Sequence, residues 1–217
     1  MSLPGETVMR LPQSKIHDAA GLLSRAFWDD PMTLFLYPDI TERRELGPNF
    51  YILNMEHAAI GGELYTSSSF KGVAVWRFFG DETRPTVDRA NDPRNRLPEA
   101  MGDGPFQRLM IISQCTNEMH KNLVKGQHCY LFFLGVEPGH QGNGIGSLLI
   151  KPVLKMADEK GLPCYLETMK EKNLAFYRKH SFKVAGEKQA PDGGPYFWAL
   201  LRPPGRRVTN SLLLADR

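Results

Sequence analysis

The stretch Leu134-Gly135-Val136-Glu137-Pro138-Gly139-His140-Gln141-Gly142-Asn143-Gly144-Ile145-Gly146-Ser147 decides how this chain is read. The residues leading into it, 128–136, are nearly all apolar, as expected of a strand buried on both faces. The residues after it, 144–160, have helical spacing. A strand therefore runs into a glycine-rich turn, and the turn opens a helix. Such a turn presents unpaired backbone N–H groups at the positive end of a helix. Glycines let a ligand come close to that backbone. The implied ligand is an anion such as a pyrophosphate, bound without a charged side chain.

Two other phosphate-binding patterns fit poorly. The dinucleotide fingerprint G-x-G-x-x-G is met by Gly142 and Gly144 but fails at Ser147. The nucleoside-triphosphate loop G-x-x-x-x-G-K-[ST] is met by Gly139 and Gly144, but Ile145 stands where lysine is required.

Working outward, 163–167 reads as a strand, 173–180 as a short helix, and 182–187 and 196–201 as strands around Pro191-Asp192-Gly193-Gly194. Upstream, 7–11 reads as a first strand, and Ser14 precedes a helix that Pro31 closes. A helical stretch over 42–60 is broken at Gly47-Pro48 and stopped by Gly61-Gly62. Residues 63–67 and 72–79 form a hairpin, 80–104 is loop with a short helical turn, and 106–124 is helical. The expected fold is one mixed, mostly antiparallel α/β sheet flanked by helices, in a single domain over 1–204 with a tail over 205–217.

The 217 residues carry 27 Lys plus Arg against 24 Asp plus Glu, a net charge of +3. No basic stripe appears, so no nucleic-acid footprint is expected. The longest apolar runs, 129–134 and 196–201, are far shorter than the ~18 residues of a membrane helix, so no membrane partner is expected. Cys115, Cys129 and Cys164 are too scattered for a disulfide framework, and no signal pattern opens the chain. A soluble, cytoplasmic protein with free thiols is the expectation. The histidines lack metal-ligand spacing, and no metal is expected.

Gln141-Gly142-Asn143-Gly144-Ile145-Gly146 matches [RQ]-x-x-G-x-[GA], and Asn173 and Tyr177 form an Asn-x-x-x-Tyr pair on the later short helix. In both features the chain resembles the GNAT superfamily of acyl-CoA-dependent N-acyltransferases. Over residues 128–203 it resembles the puromycin N-acetyltransferase type. Tyr130-Leu131, Pro138, Pro152, Leu162-Pro163, Leu166-Glu167-Thr168 and Phe176-Tyr177 carry that likeness.

The resemblance implies acetyl-CoA as cosubstrate. Its pyrophosphate would rest on Gln141, Gly142, Asn143, Gly144, Ile145, Gly146 and Ser147, where the plain reading is a helix-capping turn. Its pantetheine arm would lie along Leu134, Gly135 and Val136 as an added strand. Asn173 would bond the arm, or simply cap its helix. Tyr177 would protonate the departing thiolate; the plain alternative is a core aromatic beside Phe176. The strand before the turn lacks the carboxylate that many relatives use as general base. Glu167 and Glu63 are candidates, with Asp29, Asp30, His128 or a water chain as further options. Trp28, Tyr37, Tyr65 and Trp76 are candidates to line an acceptor pocket, with Trp76 also suited to the core.

The expected activity is transfer of acetyl from acetyl-CoA to the amine of a small molecule, by direct attack in a ternary complex. A non-catalytic acyl-CoA-binding or sensing protein, and an N-terminal or lysine acetyltransferase acting on proteins, are the alternatives. Relatives are monomers or homodimers, and the sequence does not choose between them.

Overall fold

The computed structural model describes residues 5–205; most of the tail therefore lies outside the described residues. The chain threads a seven-stranded sheet in the order β1-β2-β3-β4-β5-β7-β6. The strands are β1 (Val8–Arg10), β2 (Glu63–Ser67), β3 (Gly72–Phe79), β4 (His128–Val136), β5 (Cys164–Thr168), β6 (Lys183–Gln189) and β7 (Tyr196–Arg202). Every neighbouring pair is antiparallel except β4 and β5. The mixed, mostly antiparallel sheet expected from the sequence is present.

Helices cover both faces. On one face lie α1 (Ile16–Ala26) and α4 (Gly47–Gly61). Ala19, Ala20, Leu22 and Leu23 of α1 are fully buried there against Val73, Val75 and Phe133. The stretch expected at 42–60 is indeed interrupted beside Gly47-Pro48, into α3 (Ile40–Glu45) and α4. On the opposite face α7 (Ile145–Lys160) and α8 (Leu174–Lys179) pack over Trp76, Cys129 and Leu131. Pro152 lies inside α7. Arg202 of β7 donates to both carboxylate oxygens of Asp158 at 2.7 Å and pins the far end of α7 to the sheet.

Pro31 does not end the first helical region. It is the first residue of α2 (Pro31–Leu36), and the Asp30 carboxylate caps that helix by accepting from the Met32 N–H at 3.0 Å. Asp before Pro serves as a helix start as readily as a stop. The loop at 80–104 carries 3-10 turns and α5 (Leu97–Met101), and leads into the long α6 (Asp103–Leu123). Leu109 and Ile112 of α6 join the α1–α4 core, while Cys115 packs with Phe197 of β7. This helix therefore spans the sheet on the same face as α1 and α4.

Candidate active site

The site begins with a fault in β4. Leu131 sits opposite Trp76 of β3, but Phe133 sits opposite Val75, so Phe132 is an extra residue. A bulge of this kind bends the strand and resets its side-chain alternation. Beyond it β4 leaves β5. The two strands pair only at Cys129 with Cys164 and Tyr130 with Tyr165. Downstream, the Glu137 N–H donates to the Lys71 carbonyl on the β3 side. Peptide direction alternates along a strand, so Leu134 and Val136 turn their N–H and C=O groups toward the open edge. The Gln141 amide donates to the Val136 carbonyl at 3.1 Å, closing the top of that edge.

The turn follows, through a 3-10 segment Pro138–His140. Gly142 and Gly144 have φ of +79° and +82°, values that side chains disfavour. Gly144 is the residue before α7, and its carbonyl accepts the first helical bond, from the Leu148 N–H at 3.0 Å. Among the described residues, no backbone carbonyl accepts from the N–H groups of 142–147. They are the orphan donors of a helix start, and they face a groove of about 980 Å³. Arg25 of α1 grips Glu137 at 2.7 Å and holds the turn against α1.

Every residue expected to hold the cofactor borders this groove except Asn143, whose amide reaches the His140 carbonyl instead. Leu134, Gly135 and Val136 form its floor, and Gln141, Gly142, Gly144, Ile145, Gly146 and Ser147 its end. The Ser147 hydroxyl is bonded to His180 at 2.9 Å. Asn173 precedes α8 but makes no side-chain cap; it donates to the Thr168 hydroxyl at 3.2 Å. Lys170, Lys172 and Lys179 add positive charge at the rim.

A second cavity of about 470 Å³ meets the groove, and the two share Phe27, Asp30, Leu134, Asn173 and Tyr177. Tyr177 is 7% exposed, and among the described residues its hydroxyl has no hydrogen-bond partner. Burial raises this phenol, and the Asp30 carboxylate raises it further. Burial likewise raises Asp30.

Glu167 of β5 borders the second cavity. Tyr165 donates to one of its oxygens at 2.8 Å, and Tyr130 donates to the other. Burial pushes its carboxyl up to about 7, against the opposing pull of those two hydroxyls and of Arg77.

Asp30 stands at the junction of the two cavities and caps α2, whereas Glu63, Asp29 and His128 are engaged elsewhere. Glu63 is held by Arg10 at 2.9 Å, by Arg84 at 3.2 Å and by the Tyr65 hydroxyl, and it borders neither cavity. Asp29 is bound by Lys170 at 2.5 Å. The His128 Nδ1–H donates to the Gly126 carbonyl and its Nε2 meets His120 at 2.7 Å, away from both cavities.

The aromatic candidates also fall elsewhere. Trp28 borders the groove rather than the second cavity, while Tyr37 and Trp76 are core residues, each 1% exposed or less. Tyr65 packs with Trp76 under α7. The second cavity is lined instead by Phe27, Phe50, Phe106, Phe132 and Phe133.

Sequence reasoning also missed a polar wall. Arg94 donates to Asp92 at 2.7 Å, Asp92 meets His57 Nδ1 at 3.0 Å, and Arg77 reaches His57 Nε2 at 3.3 Å. A guanidinium can only donate, so Nε2 is the acceptor and Nδ1–H donates to Asp92. Arg94 and His57 hold the Asp92 carboxyl well below the usual range despite its burial. Arg77 had been only one residue of an aromatic strand, and Asp92 and Arg94 part of a polar loop. Nothing in their spacing joins them.

The acetyltransferase (GNAT) family model matches residues 110–182. The peptidyl-lysine N-acetyltransferase YjaB of Salmonella typhimurium is 30% identical over 129 residues, 58% of this chain and 85% of that protein. The chain belongs to the GNAT acetyltransferase family. This acetyltransferase is also similar to an uncharacterized N-acetyltransferase of Schizosaccharomyces pombe, 25% identical over 76% of this chain and 69% of that protein. In fold it matches a crystal structure described as histone acetyltransferase HPA2 and related acetyltransferase from Corynebacterium glutamicum. The TM-score there is 0.67 at 22% identity, over 96% of this chain and 99% of the other. Among the described residues of this acetyltransferase, no helix is long and apolar enough to cross a membrane, and no cluster of potential metal ligands occurs.

Proposed function

We propose that this enzyme transfers the acetyl group of acetyl-CoA to the primary amine of a small molecule, by direct attack within a ternary complex. The observation that carries the reading is the meeting of two separate cavities at Tyr177 and Asp30. Direct transfer needs both reactants bound at once with their reacting atoms adjacent.

Acetyl-CoA suits the larger groove. The N–H groups of 142–147 offer a pyrophosphate its donors. Leu134 and Val136 offer the amide-bearing pantetheine arm an unpaired strand edge. One of those N–H groups then faces the thioester oxygen as charge develops on it.

The acceptor enters the smaller cavity. A free amine attacks the thioester carbon, and its surplus proton passes to Glu167, directly or through water. A carboxylate that titrates near 7 is suited to that task at neutral pH. The C–S bond breaks, and Tyr177 gives its proton to the leaving sulfur. Its raised pKa keeps the phenol protonated until then. Glu63, Asp29 and His128 are consumed by other partners and Asp30 caps α2, which favours Glu167.

A second reading, acetylation of lysine in peptides, draws support from the function carried by the name of YjaB. The side chains that α5 and α6 add to the wall favour the small molecule. Leu97, Phe106, Met110 and Ser113 wall the smaller cavity, where a protein substrate requires an open approach. Acetyl-CoA consumption measured over pooled small amines and lysine peptides separates the two. Turnover confined to lysine peptides would replace the first reading with the second. Tight CoA binding without any turnover would leave a sensor in place of an enzyme of this kind.

A further inference from the structure

The second cavity has an uneven charge distribution. Asp30 and Glu167 stand at its acidic side, together with Tyr177. β3 and the 92–95 turn add Arg77 and Arg94 with one carboxylate, Asp92, and Arg77 and Glu167 act electrostatically on one another. Arg94 spends its guanidinium on Asp92, donating from both Nε and Nη2. His57 carries no charge here, because its Nε2 accepts from Arg77 and so holds no proton. One positive charge is therefore left over, and it belongs to Arg77.

Arg77 has no ion pair among the described residues. Of its five N–H donors, one reaches a protein acceptor, His57 Nε2. The rings of Phe132 and Phe79 lie 5.0 and 5.5 Å from its guanidinium carbon. Those contacts fix the plane of the group and satisfy none of its donors. Asp92 and Glu167 act on this buried guanidinium through space, but neither accepts a hydrogen bond from it. A desolvated guanidinium is costly unless something anionic meets its donors, and Arg77 borders the smaller cavity.

The sheet sets the scale. Arg77, Tyr130 and Tyr165 lie opposite one another on β3, β4 and β5. Two strand intervals amount to about 10 Å, and Glu167 lies two residues beyond Tyr165. A compact molecule can therefore reach the acidic side with one end and Arg77 with the other.

We propose that Arg77 receives a carboxylate of the acceptor, so that the substrate class is an amine that carries a carboxylate several bonds away: a short peptide or an ω-amino acid with an apolar body. This rests on the proposed transfer to a small amine. The guanidinium fork matches a carboxylate bidentately, and the five phenylalanines around the cavity suit an apolar body.

Matched pairs test it: Gly-Phe against Gly-Phe amide, Gly-Leu against Gly-Leu amide, and 6-aminohexanoic acid against hexylamine. Each is titrated calorimetrically into the CoA-loaded protein and also assayed with acetyl-CoA. The expected result is that at least one carboxylate-bearing member binds tenfold or more tightly than its partner. In Arg77→Gln that ratio falls to near one, and Arg77→Lys restores part of it. Equal binding within every pair, or a preference for the uncharged partners, overturns the proposal, as does a preference that survives Arg77→Gln. Carboxylate-selective binding without acetylation of any member leaves the Arg77 site standing and removes the acetyl-transfer reading instead.

Discussion

The two cavities are built in different ways. The larger groove is framed mainly by backbone: orphan N–H groups at the start of α7, and a strand edge opened by the bulge at Phe132. Its key residues come from one run, 134–147, with α8 added. The smaller cavity is framed by side chains from α4, β3, the 92–95 turn, α6 and β5. A ligand shared by many enzymes can be held by main-chain atoms that tolerate changes of sequence around them. A ligand particular to one enzyme needs side chains, and those differ between relatives. Substitutions should therefore divide by cavity: changes in the groove should act on CoA affinity, and changes in the smaller cavity on turnover and selectivity.

The largest expected effect tests the side-chain cavity. Glu167→Gln should lower kcat/KM by about 10²- to 10⁴-fold, the range for loss of a general base, while the Kd for CoA measured calorimetrically stays as in the parent. The same group sets the pH profile. With its carboxyl at about 7, kcat/KM expressed per free amine should fall roughly tenfold per pH unit below 7 and level off above it. The sign for stability is opposite. A carboxyl raised in the folded state favours the protonated form, so its contribution declines as pH rises from the ordinary carboxylate range through about 7. Urea titrations should show that decline, and Glu167→Gln should remove it.

Gly144→Val tests the backbone groove. A branched side chain at φ +82° is strained and crowds the orphan N–H groups. CoA affinity should fall by about 100-fold, equivalent to about 2.7 kcal/mol. Unchanged affinity would mean that the turn does not hold the phosphates. Tyr177→Phe should cut kcat by at least about tenfold and leave CoA affinity as it was, seen by comparing calorimetry with steady-state rates. A kcat that does not move would remove the acid role. At the small end, Asp158→Asn lies far from both cavities and unpairs Arg202. It should cost about 1–3 kcal/mol of stability in urea unfolding with kcat unaffected.

The same division explains what could be read from the sequence. The strand, turn and helix around Gly142, Gly144 and Gly146 were legible, because glycine spacing reports backbone conformation directly. The hairpin strands at 63–67 and 72–79 were legible from β-branched and aromatic runs between turns. The bulge at Phe132 was not, because 129–134 is apolar throughout and shows no break in alternation. The role of Asp30 was obscured because Asp-Pro marks both ends and starts of helices. His57, Arg77, Asp92 and Arg94 form a network only through tertiary packing, since each is an ordinary polar residue in its own segment. Glu167 stood out by its place at the end of a strand. Its carboxyl is raised by burial against the pull of the Tyr130 and Tyr165 hydroxyls, a setting that only the parallel pairing of β4 and β5 brings together.

The central claim is that the groove and the smaller cavity meet at Tyr177 so that acetyl passes directly from one ligand to the other. A crystal structure of the protein with CoA bound tests it most directly. The pyrophosphate should lie on the N–H groups of 142–147, the pantetheine arm along Leu134 and Val136, and the sulfur within about 3.5 Å of the Tyr177 hydroxyl. A CoA bound outside the groove, or one whose sulfur points away from the junction of the two cavities, would contradict the account.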